Sequence, residues 1–174
     1  PVWDAALASF TLERRLSDTM AIAGGPNYEE GQIGRDGDMN AFRLFGLMGI
    51  FRYDNTTNPL DPRQGQRFSI SATPYYSALD SNSFTRILAI GTSYFDIIGN
   101  GDSVLALRTA LGSSPGADRD KITLDKRFYA GGGGSVRGYT YQSIGPRDAA
   151  NRPLGGASLV EASVEWRQRL TRSW

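Results

Sequence analysis

The sequence contains no cysteine and no histidine. Their absence removes disulfides, thiol nucleophiles, Cys/His zinc sites, Ser-His-Asp triads and histidine acid–base chemistry. Lysine is nearly missing as well: Lys121 and Lys126 stand beside 17 arginines. Nineteen basic and 18 acidic residues leave a net charge of +1, so there is no broad positive field and no nucleic-acid partner is expected. Long hydrophobic runs are lacking too. The longest uncharged apolar stretch, Leu44 to Phe51, has eight residues and two glycines, well short of the roughly 18 that a membrane-spanning helix needs. No basic, apolar leader opens the chain, which starts at Pro1; the expectation is a removed leader or an excised segment. A spanning β-strand escapes this test, because it needs only about 9–11 residues with every second one apolar.

What is present is a period of two. Residues 159–170 place Val160, Ala162, Val164, Trp166 and Leu170 on one face and Glu161, Ser163, Glu165, Arg167 and Arg169 on the other. Residues 67–76 oppose Phe68, Ile70, Ala72, Pro74 and Tyr76 to Arg67, Ser69, Ser71, Thr73 and Tyr75. Such alternation marks strands with two unlike faces. It extends, with more blurring, to 4–16, 18–30, 40–54, 67–79, 83–96, 103–112 and 157–170, which gives seven strands; only 4–16 would also tolerate a helix. Turn-like links at 16–18, at the Pro- and Asn-rich 55–65 and at 98–102 fall on one rim. Polar loops at 31–39 and 80–83 and a long loop at 113–156 fall on the other. Short turns on one rim and long loops on the other is the arrangement of outer-membrane barrels. Alternation does not say which face points inward, so a soluble β-sandwich and a lipid-embedded barrel both remain open. Phe51, Tyr53, Tyr76, Tyr94, Phe95 and Trp166 near strand ends would suit interfacial girdles. Seven strands would leave two unpaired edges, so a membrane barrel would here be present in part.

The run Phe128–Arg147, FYAGGGGSVRGYTYQSIGPR, concentrates glycine. It lacks the Gly-Lys-Ser/Thr of a phosphate loop and the glycine spacing of a dinucleotide site. A flexible linker would explain Gly131, Gly132, Gly133 and Gly134, but not the bulky Val136, Arg137, Gly138, Tyr139 and Tyr141 that follow. FYAGGGGSVRGYTYQSIGP followed by GGASLVEASVEWRQRL resembles the signature of the outer-membrane barrel insertase superfamily, also called the bacterial surface antigen family. Its spelling is most similar to the TamA-like branch, the outer-membrane subunit of the translocation and assembly module. YDNTTNPLDPRQGQRFSISATP (53–74) is similar to the family's periplasmic turn and the strand after it. The resemblance spans about 53–174.

The resemblance implies an all-β fold: an antiparallel transmembrane β-barrel segment of about seven strands from a barrel of sixteen. The periplasmic repeats and final strands would lie outside this chain. The long, extracellular loop would fold back into the lumen, with Val136, Arg137, Gly138 and Tyr139 at its tip. Arg137 would pair with acidic residues on neighbouring strands. Glu165 matches the family's strand-borne glutamate, Glu161 lies on the same face, and a second family partner would lie beyond Trp174. A pair shielded from water would be stronger than a surface pair and would plug the lumen. Gly138 would permit a sharp turn or close packing on the wall. Asn58, Pro59, Asp61, Pro62 and Gly65 read as turn architecture. Glu29, Glu30, Asp36 and Asp38 read as a solvated loop cluster without calcium-loop spacing.

No cofactor or metal is expected, and no enzyme, since Glu161 and Glu165 share a strand face without a cleft-like constellation. The resemblance implies assembly or translocation of other outer-membrane or surface proteins at the bacterial outer membrane. Its partners would be the lipid bilayer, client proteins and an inner-membrane-anchored, periplasm-spanning protein. The alternatives are a two-partner secretion pore of the same superfamily and a soluble β-sandwich binding domain.

Overall fold

The computed structural model describes residues 2–35 and 38–171. Its strands are β1 (Val2–Ser9), β2 (Leu12–Arg15), β3 (Met20–Arg35), β4 (Asp38–Asp54), β5 (Gly65–Ser77), β6 (Asn82–Asp96), β7 (Ser103–Ser113) and β8 (Ser158–Gln168). They form one antiparallel sheet in the order β1-β3-β4-β5-β6-β7-β8, with β2 also on β3. From β2 onward every connection joins neighbours. This is a meander, and it is part of a barrel wall.

The first expected strand, 4–16, is split rather than helical. β1 pairs from Val2↔Gly34 to Ser9↔Asn27, and β2 resumes in the same register from Leu12↔Gly24. The break at Phe10 and Thr11 faces Gly25 and Pro26. Phe10 N–H donates to the Pro26 carbonyl at 3.1 Å, but proline has no N–H to complete the ladder. The β4–β5 ladder is likewise interrupted between Gly46↔Tyr75 and Gly49↔Ala72, beside Pro74.

Two expected loops are taken up largely by strands. β3 and β4 stay paired out to Arg35↔Asp38, and β5 and β6 to Ser77↔Asn82, where loops at 31–39 and 80–83 were expected. The long connection on that rim is therefore residues 114–157 alone, while the opposite rim carries the ten-residue link 55–64.

Burial decides the faces. On β5, Thr73, Tyr75 and Ser77 are buried while Phe68, Ile70 and Tyr76 are exposed. On β8, Glu161 is buried while Val160, Val164 and Trp166 are exposed. Leu7, Ile22, Phe45, Leu47, Phe95, Leu107 and Leu111 extend the exposed apolar face over the other strands. A soluble sandwich would bury these residues under a second sheet; here one sheet turns them outward, as a barrel in lipid does. Tyr94, expected among the outward aromatics, instead faces inward, with the Arg167 guanidinium 5.6 Å from its ring centroid. The buried cluster Ile33, Phe42, Leu44, Tyr75, Phe84 and Ile122 sits on the inner face, where β3–β6 meet the base of the long loop.

Candidate functional site: the loop on the inner wall

The loop folds as an irregular hairpin whose limbs pair at Phe128↔Gly156, Ala130↔Ile144 and Arg147↔Pro153. Phe128 and Gly156 exchange backbone bonds of 2.9 and 2.8 Å. A linker of four glycines would lack such pairing.

Its base is packed into the wall. Ile122 and Phe128 are buried. Phe128 lies against Gly112 on β7, where an added Cβ would come within 2.6 Å of the ring; the glycine is there to admit the aromatic. The Arg86 guanidinium on β6 lies 4.5 Å from the centroid of the same ring, and Arg86 Nε donates to the Lys126 carbonyl at 3.1 Å. Lys126 Nζ reaches Glu29 Oε2 on β3 at 2.5 Å and Asp125 Oδ2 at 2.9 Å, and lies 5.4 Å from the Tyr75 ring centroid. The Lys126 and Glu29 side chains are only 15% and 6% exposed. Burial by itself would push the lysine pKa down; the Asp125 charge and the Glu29 hydrogen bond outweigh it and hold the pKa above its ordinary value.

The tip is held differently. Arg137 Nη1 lies 2.7 Å from Glu165 Oε2, and Glu165 also receives Arg167 Nε at 2.6 Å. The Arg137 side chain is 77% exposed and that of Glu165 32%, so the pair is not shielded as the sequence reading expected. Glu161, expected as a further partner of Arg137, is engaged elsewhere: Arg108 Nη1 lies 3.4 Å away, and the Ser135 hydroxyl bonds its other oxygen. Ser135 Oγ in turn accepts from Gly131 N–H at 3.1 Å. Gly132 N–H donates to the Tyr139 carbonyl, and Tyr139 N–H to Val136, which closes the tip. Gly138 has φ +88° and nothing within 4 Å of an added Cβ. It serves the turn, and close packing on the wall is not its role.

At the opposite rim the 55–64 link is architecture. Asn58 Oδ1 accepts from Leu60 N–H at 3.0 Å, Asp61 pairs with Arg63 at 3.1 Å, and Pro62 is buried whereas Pro59 is exposed. Arg67 on β5 reaches Asp54 at 2.7 Å and the Pro59 carbonyl at 3.3 Å. Gly65 has φ +102°, and a Cβ there would come within 2.7 Å of the Asn55 carbonyl oxygen.

Sequence reasoning missed the base entirely. Glu29 and Glu30, expected in a solvated loop, lie on β3. Glu29 is buried and accepts from Asn27 Nδ2 at 3.0 Å as well as from Lys126. Glu30 accepts from the Tyr28 hydroxyl at 2.6 Å and pairs with Arg43 at 3.2 Å. Asp36 lies outside the described residues, and Asp38 opens β4. The available signal was the rarity of lysine: one of two in the chain, two residues before the glycine-rich run.

Two comparisons bear on this arrangement. The crystal structure of BamA from Haemophilus ducreyi lacking POTRA domains 1-3 superposes with a TM-score of 0.78 at 19% identity. The match covers 93% of this chain and 36% of that one, so the chain spans about a third of that protein. The likeness is one of fold. The family comparison reaches further, because the Omp85 superfamily domain matches residues 8–173, nearly the whole sequence. This chain belongs to the Omp85 superfamily.

Proposed function

We propose that this chain forms the loop-bearing part of an outer-membrane barrel that inserts or exports other outer-membrane or surface proteins. The observation that carries the reading is the inner-face loop itself. A 44-residue connection lies folded against the polar side of a wall whose other side is apolar, with Arg137 on Glu165. The loop motif's spelling favours the TamA-like branch. A client would be handled mechanically, by a wall and a plug, without bond chemistry. The long loop would enter from the cell exterior and the 55–64 rim would face the periplasm, towards an inner-membrane-anchored partner.

The test uses the full-length protein in its own cell. Depletion should lower the amount of folded, heat-modifiable outer-membrane protein or of surface-exposed passenger domains, and Arg137→Ala in the intact gene should reproduce part of that loss. Loss of secretion of one dedicated exoprotein, with all barrels normally folded, would replace this reading with the two-partner secretion pore.

A further inference from the structure

Two interior strands carry a proline, and both prolines fall in one row across the wall. Pro26 on β3 pairs with Leu47 on β4, and the unbroken register of β4 with β5 sets Leu47 opposite Pro74. Proline within a sheet is ordinarily confined to edge strands, first residues of strands and bulges. None of these applies. β3, β4 and β5 each have a neighbour on both sides, and pairing resumes past each proline in the same register, with no residue inserted.

Both ring nitrogens point at the broken ladders. Ala78 N–H donates to the Arg43 carbonyl at 2.9 Å. Hydrogen-bonded pairs alternate along an antiparallel ladder, so the next are Phe45 with Tyr76 and Leu47 with Pro74, where the donor is missing. On the other side of the hairpin, Phe10 N–H reaches the Pro26 carbonyl at 3.1 Å, and the proline has no N–H to return the bond. The β3–β4 hairpin therefore loses its hold on both neighbours at one height, while its own strands stay paired throughout.

The seam between β4 and β5 is weak from that row up to the rim bearing the long loop. Above the row three pairs remain, Leu44↔Ser77 to Gly46↔Tyr75, against six below it, Gly49↔Ala72 to Asp54↔Arg67. A cavity of about 550 Å³ opens here, lined by Phe45, Leu47, Pro74 and Tyr76 of the outer face together with Tyr75 and Phe84 of the inner face. What crosses the seam on the inner side is the loop base. Lys126 holds Glu29 on β3 and lies over the Tyr75 ring on β5. Ile122 joins Ile33, Phe42 and Leu44 of the hairpin to Tyr75 and Phe84 of β5 and β6 in one buried cluster. Arg86 on β6 fixes the Lys126 carbonyl from the far side.

We propose that the upper part of the β3–β4 hairpin is a hinged flap of the wall, with the proline row as its hinge and the loop base as its latch. Release of the loop base lets the flap part from β5 and opens a slot between the inner and outer faces. This property belongs to the wall and holds whichever client the barrel handles.

The test is hydrogen exchange of the full-length protein in lipid nanodiscs, resolved to single amides. The Phe45 and Tyr76 amides should exchange about tenfold or more faster than those of Phe51 and Ile70, which pair below the row on the same strands. Tyr75, whose amide faces β6, should stay protected, which separates an opening seam from general fraying of the rim. Lys126→Ala should speed Phe45 and Tyr76 by a further factor of about ten and leave Phe51 and Ile70 unchanged. Pro74→Val restores the missing donor without touching the loop and should slow Phe45 and Tyr76 by about the same factor. Equal exchange above and below the row in the wild type would overturn the proposal. So would a Lys126→Ala effect that is absent or spread evenly over both rows, or exchange that Pro74→Val leaves unchanged.

Discussion

Lys126 Nζ lies 2.5 Å from Glu29 Oε2, across 97 residues of sequence. This contact ties the base of the long loop to β3, while Arg137 ties its tip to β8, at the other end of the sheet. The two ties are unequal. The base pair is largely shielded from water, whereas the tip pair faces it, and the strength of an ion pair depends on that difference.

Breaking the base should therefore cost more than breaking the tip. Removing one partner of a buried pair costs about 3–5 kcal/mol, because the other charge is stranded. Lys126→Ala or Glu29→Ala in the intact barrel should thus expose 114–157 to protease and lower the thermal midpoint. The double replacement Glu29→Leu with Lys126→Met should be milder than Lys126→Ala alone, since the single change strands both Glu29 and Asp125 and the double strands Asp125 only.

Arg137→Ala should loosen only the tip. An exposed pair contributes roughly 0.2–1 kcal/mol, so cleavage within 128–146 should accelerate by a few-fold while the base stays protected. An unchanged digest of that segment would show that Arg137 does not hold it.

Gly112 should tolerate no side chain while Phe128 is present. Gly112→Val drives a branched group into the Phe128 ring, whose nearest atom would already lie 2.6 Å from a bare Cβ, and overpacking of this kind costs about 1–3 kcal/mol. Pairing it with Phe128→Ala should recover part of the loss in a double-mutant cycle read by thermal unfolding.

The loop should stay ordered over a wide pH range. The Lys126 pKa is raised by its acidic neighbours, so its contribution is complete below the ordinary lysine value of about 10.4 and is lost as pH rises through the elevated one. The Asp148 pKa is lowered, first by the Arg152 backbone N–H and then by the Arg152 side chain. Its contribution is present above the ordinary aspartate value and lost as pH falls through the depressed one. Because this chain has no cysteine, a spin label at Tyr141→Cys can report the loop. Its mobility should be flat through neutral pH and rise only at the alkaline and acid ends.

Expressed alone, residues 1–174 should associate or require detergent, since the sheet has edges at β1 and β8 and an apolar outer face. A stable monomer in plain buffer would contradict the lipid-facing assignment of that surface.

Much of this was written in the sequence. Alternation over 67–76 and 159–170 prescribes strands, because side chains of a strand point to opposite faces at every step whatever surrounds them. Parity alone put Glu161 and Glu165 on one face, and the bulky residues after the glycines marked the loop as more than a linker. These are local properties, carried by neighbours in the chain.

The tertiary structure decided what neighbours cannot. Which face is inner depends on where the sheet curves and where the loop lies, and only burial of Ser77 and Glu161 against exposure of Phe68 and Trp166 shows it. Glu29 changed from a solvated loop residue to a buried anchor because β3 and β4 pair as far as Arg35↔Asp38 and the loop returns Lys126 to it. Arg137 reached Glu165, yet Glu161 went to Arg108 and Ser135, since register across β7 and β8 sets which charges meet. Alternation assigns each residue a face. Only the pairing of the strands and the return of the loop assign it a partner, because those contacts join positions that the chain itself keeps far apart.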